Sequence, residues 1–172
     1  MSRLLRPGRR TRSRGQALTE FALIAPIFFF TMFAIIEFGR AVYTIQMLNN
    51  AAREGARYAI VHGAASSSPS GPFPSSYGST NSYDPTGAYV ASKVKQYAIA
   101  IIDSGPSDFA ISVKWCANDG DLGACPGTYG DGDNGRNQTV MVTVTYKFKP
   151  LLGVAPLPPF TLSGGSTLVV NH

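Results

Sequence analysis

Gly15-Gln16-Ala17-Leu18-Thr19-Glu20-Phe21-Ala22-Leu23-Ile24-Ala25-Pro26-Ile27-Phe28-Phe29-Phe30-Thr31-Met32-Phe33-Ala34-Ile35-Ile36 organises everything else in this chain. Leu18 to Ile36 is 19 residues long, close to the ~20 needed for a helix to cross bilayer hydrocarbon. It is longer than the roughly 7–15 apolar residues of a secretory signal. No small-x-small cleavage pattern follows it, only Glu37-Phe38-Gly39-Arg40. The run nonetheless carries a carboxylate at Glu20, five residues after Gly15.

Six arginines precede the run: Arg3, Arg6, Arg9, Arg10, Arg12 and Arg14. Such a cluster is retained on the cytoplasmic side, so the remainder is expected outside the cytoplasm. The formal charge of +5 suggests nucleic-acid binding, but its distribution argues against it. The 15 Lys+Arg less these six leave nine, against ten Asp+Glu, a net of −1 after Gly15. No basic patch remains, and no nucleic-acid partner is expected.

Gln16 to about His62 reads as one long helix, with Pro26 expected to kink it. Past Arg40 the pattern turns amphipathic: Ile45, Leu48, Ala52, Ala56, Ala59 and Ile60 recur at helical spacing, and Asn49, Arg53, Glu54 and Arg57 take the other positions. Residues 63–87, rich in Ser, Gly, Pro and Tyr, read as a linker. A second helix follows, capped by Thr86, with Val90, Val94, Tyr97 and Ile101 buried, and stopped at Asp103-Ser104-Gly105-Pro106. The period then changes to two. Phe109, Ile111, Val113 and Trp115 form one strand, and Val140, Val142, Val144, Tyr146 and Phe148 another. A proline-rich turn at 150–159 leads to a short last strand around Ser166–Asn171. The expected fold class is α+β: a basic leader (1–15), a transmembrane and amphipathic helix (16–62), the linker (63–87), and a small extracytoplasmic domain (88–172) of one helix on an antiparallel sheet.

Cys116 and Cys125 bracket a Gly/Asp-rich loop in the exported part and are expected to form a disulfide, two free thiols being the alternative. Asp119, Asp121, Asp131, Asp133 and Asn134 raise calcium, but they lack the spacing and closing Glu of an EF-hand. No metal and no cofactor is expected. His62 and His172 are the only histidines, and no Ser–His–Asp arrangement follows from the sequence. An enzyme is not expected.

Gly15-Gln16-Ala17-Leu18-Thr19-Glu20-Phe21 resembles the processing site of type IV prepilins, where a prepilin peptidase cuts after the glycine and the mature chain carries glutamate at its fifth position. Together with Pro26, Glu37-Phe38-Gly39-Arg40 and Asn50-Ala51-Ala52-Arg53-Glu54-Gly55-Ala56-Arg57-Tyr58-Ala59, the chain is similar to the TadE-like family, pseudopilins or minor pilins of bacterial tight-adherence pilus systems. The resemblance is strong over about residues 14–60. It implies cleavage between Gly15 and Gln16 and a role in pilus assembly, adhesion or secretion. The implied partners are the prepilin peptidase, other pilin subunits, the assembly machinery and the bacterial inner membrane.

A carboxylate inside a membrane helix marks a functional site by default. Glu20 is therefore read either as a partner for the Gln16 amine of a neighbouring copy or as an inert group at headgroup depth. Glu37 and Arg40, three apart on a helix, are either an inter-subunit pair or a local anchor at the membrane boundary. Pro26 and the small residues Ala22, Ala25, Ala34 and Gly39 would permit close helix packing. Arg53, Glu54 and Arg57 are a solvated face or a surface for another pilin. A tethered binding module that never polymerises is the second reading of the whole chain.

Overall fold

The computed structural model describes residues 14–74, 84–98, 108–117, 132–150 and 159–171. Helix α1 spans Arg14–Val61, 48 residues, and runs through Pro26 without stopping. Proline there forgoes one ladder hydrogen bond, to the carbonyl of Ala22. Helix α2 is Ala88–Tyr97. The strands β1 (Phe109–Cys116), β2 (Thr139–Phe148) and β3 (Phe160–Val169) form an antiparallel meander in the order β1-β2-β3. The α+β arrangement read from the sequence is the one observed.

Alternation in β2 sets the two faces of the sheet. Val140, Val142, Val144, Tyr146 and Phe148 are buried, whereas Met141, Thr143 and Thr145 are half-exposed and Lys147 is exposed. The buried face receives both helices: α1 lies against β2 and β3, and α2 against α1 and β1. The core joins Leu48, Ala51, Ala52, Ala56 and Ala59 of α1 to Val90 and Val94 of α2 and to the inward strand residues around Trp115. These α1 positions recur every three or four residues, the one-sided stripe expected of a helix on a sheet.

The stripe is built from small residues because the backbones come very close. A Cβ on Gly164 of β3 would stand 2.6 Å from the backbone nitrogen of Asn49. One on Gly55 would stand 2.3 Å from a methyl of Val94, where α1 meets α2. Asn49, one of the positions between the apolar ones, accepts a hydrogen bond from the Gly165 amide at 3.2 Å.

Three expectations are corrected. Thr86 does not cap α2. Asp84 does: its Oδ1 accepts from the Ala88 amide at 2.7 Å and its Oδ2 from the Tyr89 amide at 2.8 Å, with Gly87 in the left-handed region at φ 72° before the first turn. Tyr97 is 52% exposed, because α2 ends there and its buried stripe is only Val90 and Val94. The last strand begins at Phe160 rather than Ser166: Ser163-Gly164-Gly165 has turn composition, yet it lies within β3, where the lack of a side chain at 164 admits the helix. Ile101 and the 103–106 stop lie outside the described residues.

The serine-rich stretch, although poor in aliphatic residues, contributes buried polar groups. Ser70 and Asp84 are 1% and 4% exposed and are joined by a 2.8 Å hydrogen bond from the serine hydroxyl. Fully buried Asn134 ties this region to the start of β2. Its amide donates to Pro72 O, its side chain to Ser70 O, and its carbonyl accepts from the Ala64 amide. Gly71 and Gly87, both with positive φ, flank the fully buried Trp115, and a Cβ at either would meet the indole at 2.5 Å.

Candidate functional site

The lower half of α1 has no protein against it. Leu18, Phe21, Leu23, Ile24, Ile27, Ile35 and Phe38 are each more than 60% exposed. Burial begins only at Thr44 and becomes complete at Leu48. The helix is long and apolar enough to cross a membrane, and none of its apolar window is covered by the rest of the chain. A folded domain does not leave such a surface to water. One N-terminal apolar helix of this kind fits a single-pass membrane protein.

Gly15 and Gln16 sit in the first turn of α1, exposed, and a Cβ at Gly15 would meet nothing within 4 Å among the described residues. Thr19 Oγ1 donates to Gln16 O at 2.8 Å, and Gln16 Nε2 donates to Glu20 Oε1 at 3.4 Å, a long and weak contact. Glu20 is thus exposed, and among the described residues it has only a neutral amide beside it. It lies in the second turn of a helix that starts at Arg14, past the first turn, within which the helix dipole acts. Residues 1–13 lie outside the described residues.

Glu37 and Arg40 are brought together: Arg40 Nη1 donates to Glu37 Oε2 at 2.8 Å. The same guanidinium lies 5.1 Å from the ring centroid of Phe148, the last residue of β2, and Phe148 packs on Phe160, the first residue of β3, at 5.2 Å between centroids. Arg40 therefore joins the membrane-proximal part of α1 to the near end of the sheet. Sequence reasoning found the pair but not its aromatic partner, which is 108 positions away and has no local signal. Pro26 lies in the bare half of the helix, away from Arg40.

Cys116 closes β1 and is 5% exposed; Cys125 lies outside the described residues. So do Asp119, Asp121 and Asp131. Of the acidic loop, Asp133 accepts from the Gly135 amide at 2.8 Å, a local turn, and Asn134 is structural. Among the described residues no three His, Cys, Asp or Glu side chains gather as metal ligands do.

A shallow groove of about 250 Å³ lies between α1 and α2, lined by Glu54, Arg57, Tyr58, His62, Lys93 and Tyr97 among others. Tyr58 and His62 stack at 3.9 Å, His62 Nδ1 is 2.8 Å from Tyr58 O, and Lys93 Nζ stands 5.8 Å from the Tyr58 ring centroid. Arg57 and Glu54 pair at 3.8 Å, with the arginine well exposed. Burial raises the Tyr58 hydroxyl above its ordinary pKa, and the negative charge of Asp84 adds to the shift. These are the ring stack, cation–π contact and loose ion pair of a solvated helix face, and they hold no nucleophile–base pair.

Comparison with curated proteins and with solved structures gives no match. The half of α1 left bare, its Gly15–Glu20 start and the Ala51–Ala56 face against the sheet fall within one recognised segment: residues 15–57 match the family model of TadE-like proteins, which ties this part of the chain to the tight-adherence pilus system.

Proposed function

We propose that the protein is a pseudopilin or minor pilin of a tight-adherence pilus system, cut by a prepilin peptidase between Gly15 and Gln16. The observation that carries this reading is the uncovered lower half of α1, apolar on all sides, opening on Gly15 and Glu20. An accessible Gly15–Gln16 peptide suits a peptidase. Removal of the arginine arm lets the helix leave the bilayer without dragging six cations through hydrocarbon. The helix then exchanges lipid for neighbouring helices, and Glu20 gains a cationic partner in the new amine of Gln16 on another subunit. The N-terminus is cytoplasmic and the sheet domain extracytoplasmic, where Cys116 and Cys125 pair. The role is structural rather than catalytic.

The test compares Gly15→Ala with Glu20→Ala in the native host, reading the mature N-terminus by mass spectrometry and surface filaments by electron microscopy. Gly15→Ala is expected to leave the arginine arm attached. Glu20→Ala is expected to be cut normally and to lose filaments. Normal processing and normal filaments in both variants refute the proposal, and an intact arm on the wild-type chain favours the tethered module that never polymerises.

A further inference from the structure

The second half of α1 and the sheet run side by side, and this fixes how high the domain stands above the membrane. Gly164 touches α1 at Leu48 and Asn49. From Gly164 back to Phe160 is four strand residues, about 13 Å. The same distance along α1 is about nine helical residues, which from Leu48 reaches Gly39 and Arg40. The contact of Arg40 with Phe148, and of Phe148 with Phe160, closes that ladder independently.

Arg40 lies four residues beyond Ile36, the last residue of the apolar run, about 6 Å along the helix axis. The polar layer on each side of the hydrocarbon is about 5–7 Å thick. The end of the sheet carrying Phe148 and Phe160 is therefore held within the headgroup layer. Its composition suits that layer. Phe160 is 42% exposed, although it is a large apolar side chain of the kind that interfacial segments bury at the headgroup boundary. Lys147 is exposed on β2 beside it, and long cations reach phosphate from such a position. Glu37 and Asp108, the acidic groups at this level among the described residues, are each already paired, with Arg40 and Lys149.

We infer that the Phe148–Phe160 end of the sheet, with Arg40 and Lys147, is a phospholipid-contacting surface that seats the domain on the membrane its helix crosses. The inference rests on α1 spanning the bilayer. The domain is then oriented by the lipid surface, with the groove end of α1 and Trp115 held farthest from the bilayer. Seating is lost on extraction from the membrane, which frees the same aromatic end.

The test uses the full chain in phosphatidylcholine/phosphatidylglycerol nanodiscs containing lipids brominated near the glycerol end of the acyl chain. Trp115 is fully buried at the far end of β1 and gives a constant background. Phe160→Trp adds a reporter at the seated end, Thr161→Trp a second one should the first perturb folding, and Thr167→Trp an exposed control near the far end of β3. The expected result is blue-shifted emission and several-fold stronger bromine quenching at 160 or 161 than at 167. Equal quenching at both ends, in a chain that resists alkaline carbonate extraction, overturns the seating and leaves the spanning helix intact. Release of the chain by carbonate overturns both.

Discussion

Replacing Gly164 with alanine places a methyl group between β3 and the backbone of α1. Its Cβ would stand 2.6 Å from both the Asn49 nitrogen and the Leu48 carbonyl carbon, and 2.7 Å from Leu48 Cβ. Backbone cannot rotate aside as the tip of a side chain can. Restoring an ordinary separation of 3.4 Å requires 3.4 − 2.6 = 0.8 Å of movement between helix and sheet. The hydrogen bond from the Gly165 amide to Asn49 Oδ1, already 3.2 Å long, would stretch toward 4.0 Å (3.2 + 0.8) and be lost. Overpacking costs about 1–3 kcal/mol and the hydrogen bond about 1 kcal/mol, so the sum is about 2–4 kcal/mol. At about 4 °C per kcal/mol for a domain of this size, the midpoint falls by about 8–16 °C. Gly165→Ala is the control next door: its Cβ meets only Val142 O, at 3.7 Å. Alanine there restricts the unfolded chain and is expected to stabilise by about 0.4–1 kcal/mol. The assay is thermal unfolding of the detergent-solubilised chain followed by near-ultraviolet circular dichroism, dominated by Trp115. Two variants that shift the midpoint in the same direction by similar amounts refute the claim that α1 rests directly on the backbone of β3.

Two other perturbations follow from the region around the indole. Asp84→Ala removes the acceptor for Ser70 Oγ and for the Ala88 and Tyr89 amides together; a loss of about 2–4 kcal/mol is expected by chemical denaturation. The same substitution removes one of the three causes that raise Tyr58, the others being burial and the neighbouring Tyr89, so its ultraviolet phenolate titration moves toward the ordinary value while staying above it, burial being the largest cause. A raised folded pKa contributes stability that is complete below about pH 10 and declines as pH rises through the folded value. The wild type should therefore lose more stability across that alkaline window than Asp84→Ala. Trp115→Ala opens a cavity between Gly71 and Gly87 and should cost about 3–5 kcal/mol, seen as a lower denaturant midpoint with an unchanged slope.

What the sequence made legible was what repeats. Alternation over Val140–Phe148 places each of those five side chains on the buried face, because β side chains switch face at every residue. The apolar run and the Leu48–Ala59 stripe gave α1 nearly to the residue. What it hid were single contacts between distant segments. Asp84 caps α2 from four residues before its first residue, with Pro85, Thr86 and Gly87 between, so the nearer Thr86 drew the reading. Gly164 has the look of a turn glycine, and only the helix lying on it shows that it is a strand residue chosen for size. Of the candidate site, the Gly15–Glu20 start and the Glu37–Arg40 pair were visible as local spacings. The extension of that pair to Phe148 was not, since nothing local links residue 40 to residue 148.

Residue size divides α1 more sharply than polarity does. Above Thr44 its buried positions are Leu48, Ala51, Ala52, Gly55, Ala56 and Ala59, almost all small, because there the helix must approach a sheet and a second helix closely. Below Thr44 the exposed positions are dominated by leucine, isoleucine and phenylalanine. The large side chains that predominate there suit a fluid solvent that conforms to them, and they restrict the close backbone approach that small residues permit in membrane helix pairs to the few positions at Ala22, Ala25, Ala34 and Gly39. A helix built this way gains little by pairing tightly with one partner. It gains more by being surrounded, either by lipid or by several neighbours whose side chains interleave with its own. In either setting Glu20 is the one carboxylate in an apolar coat, and Gln16 offers it only a long, neutral contact. Burying that carboxylate in the apolar core of the filament proposed above is costly unless another chain brings a cation to it. The Glu20→Gln variant tests this: it keeps the shape of the side chain and removes its charge, so filaments should fail if Glu20 meets a cationic partner, and their persistence refutes that pairing.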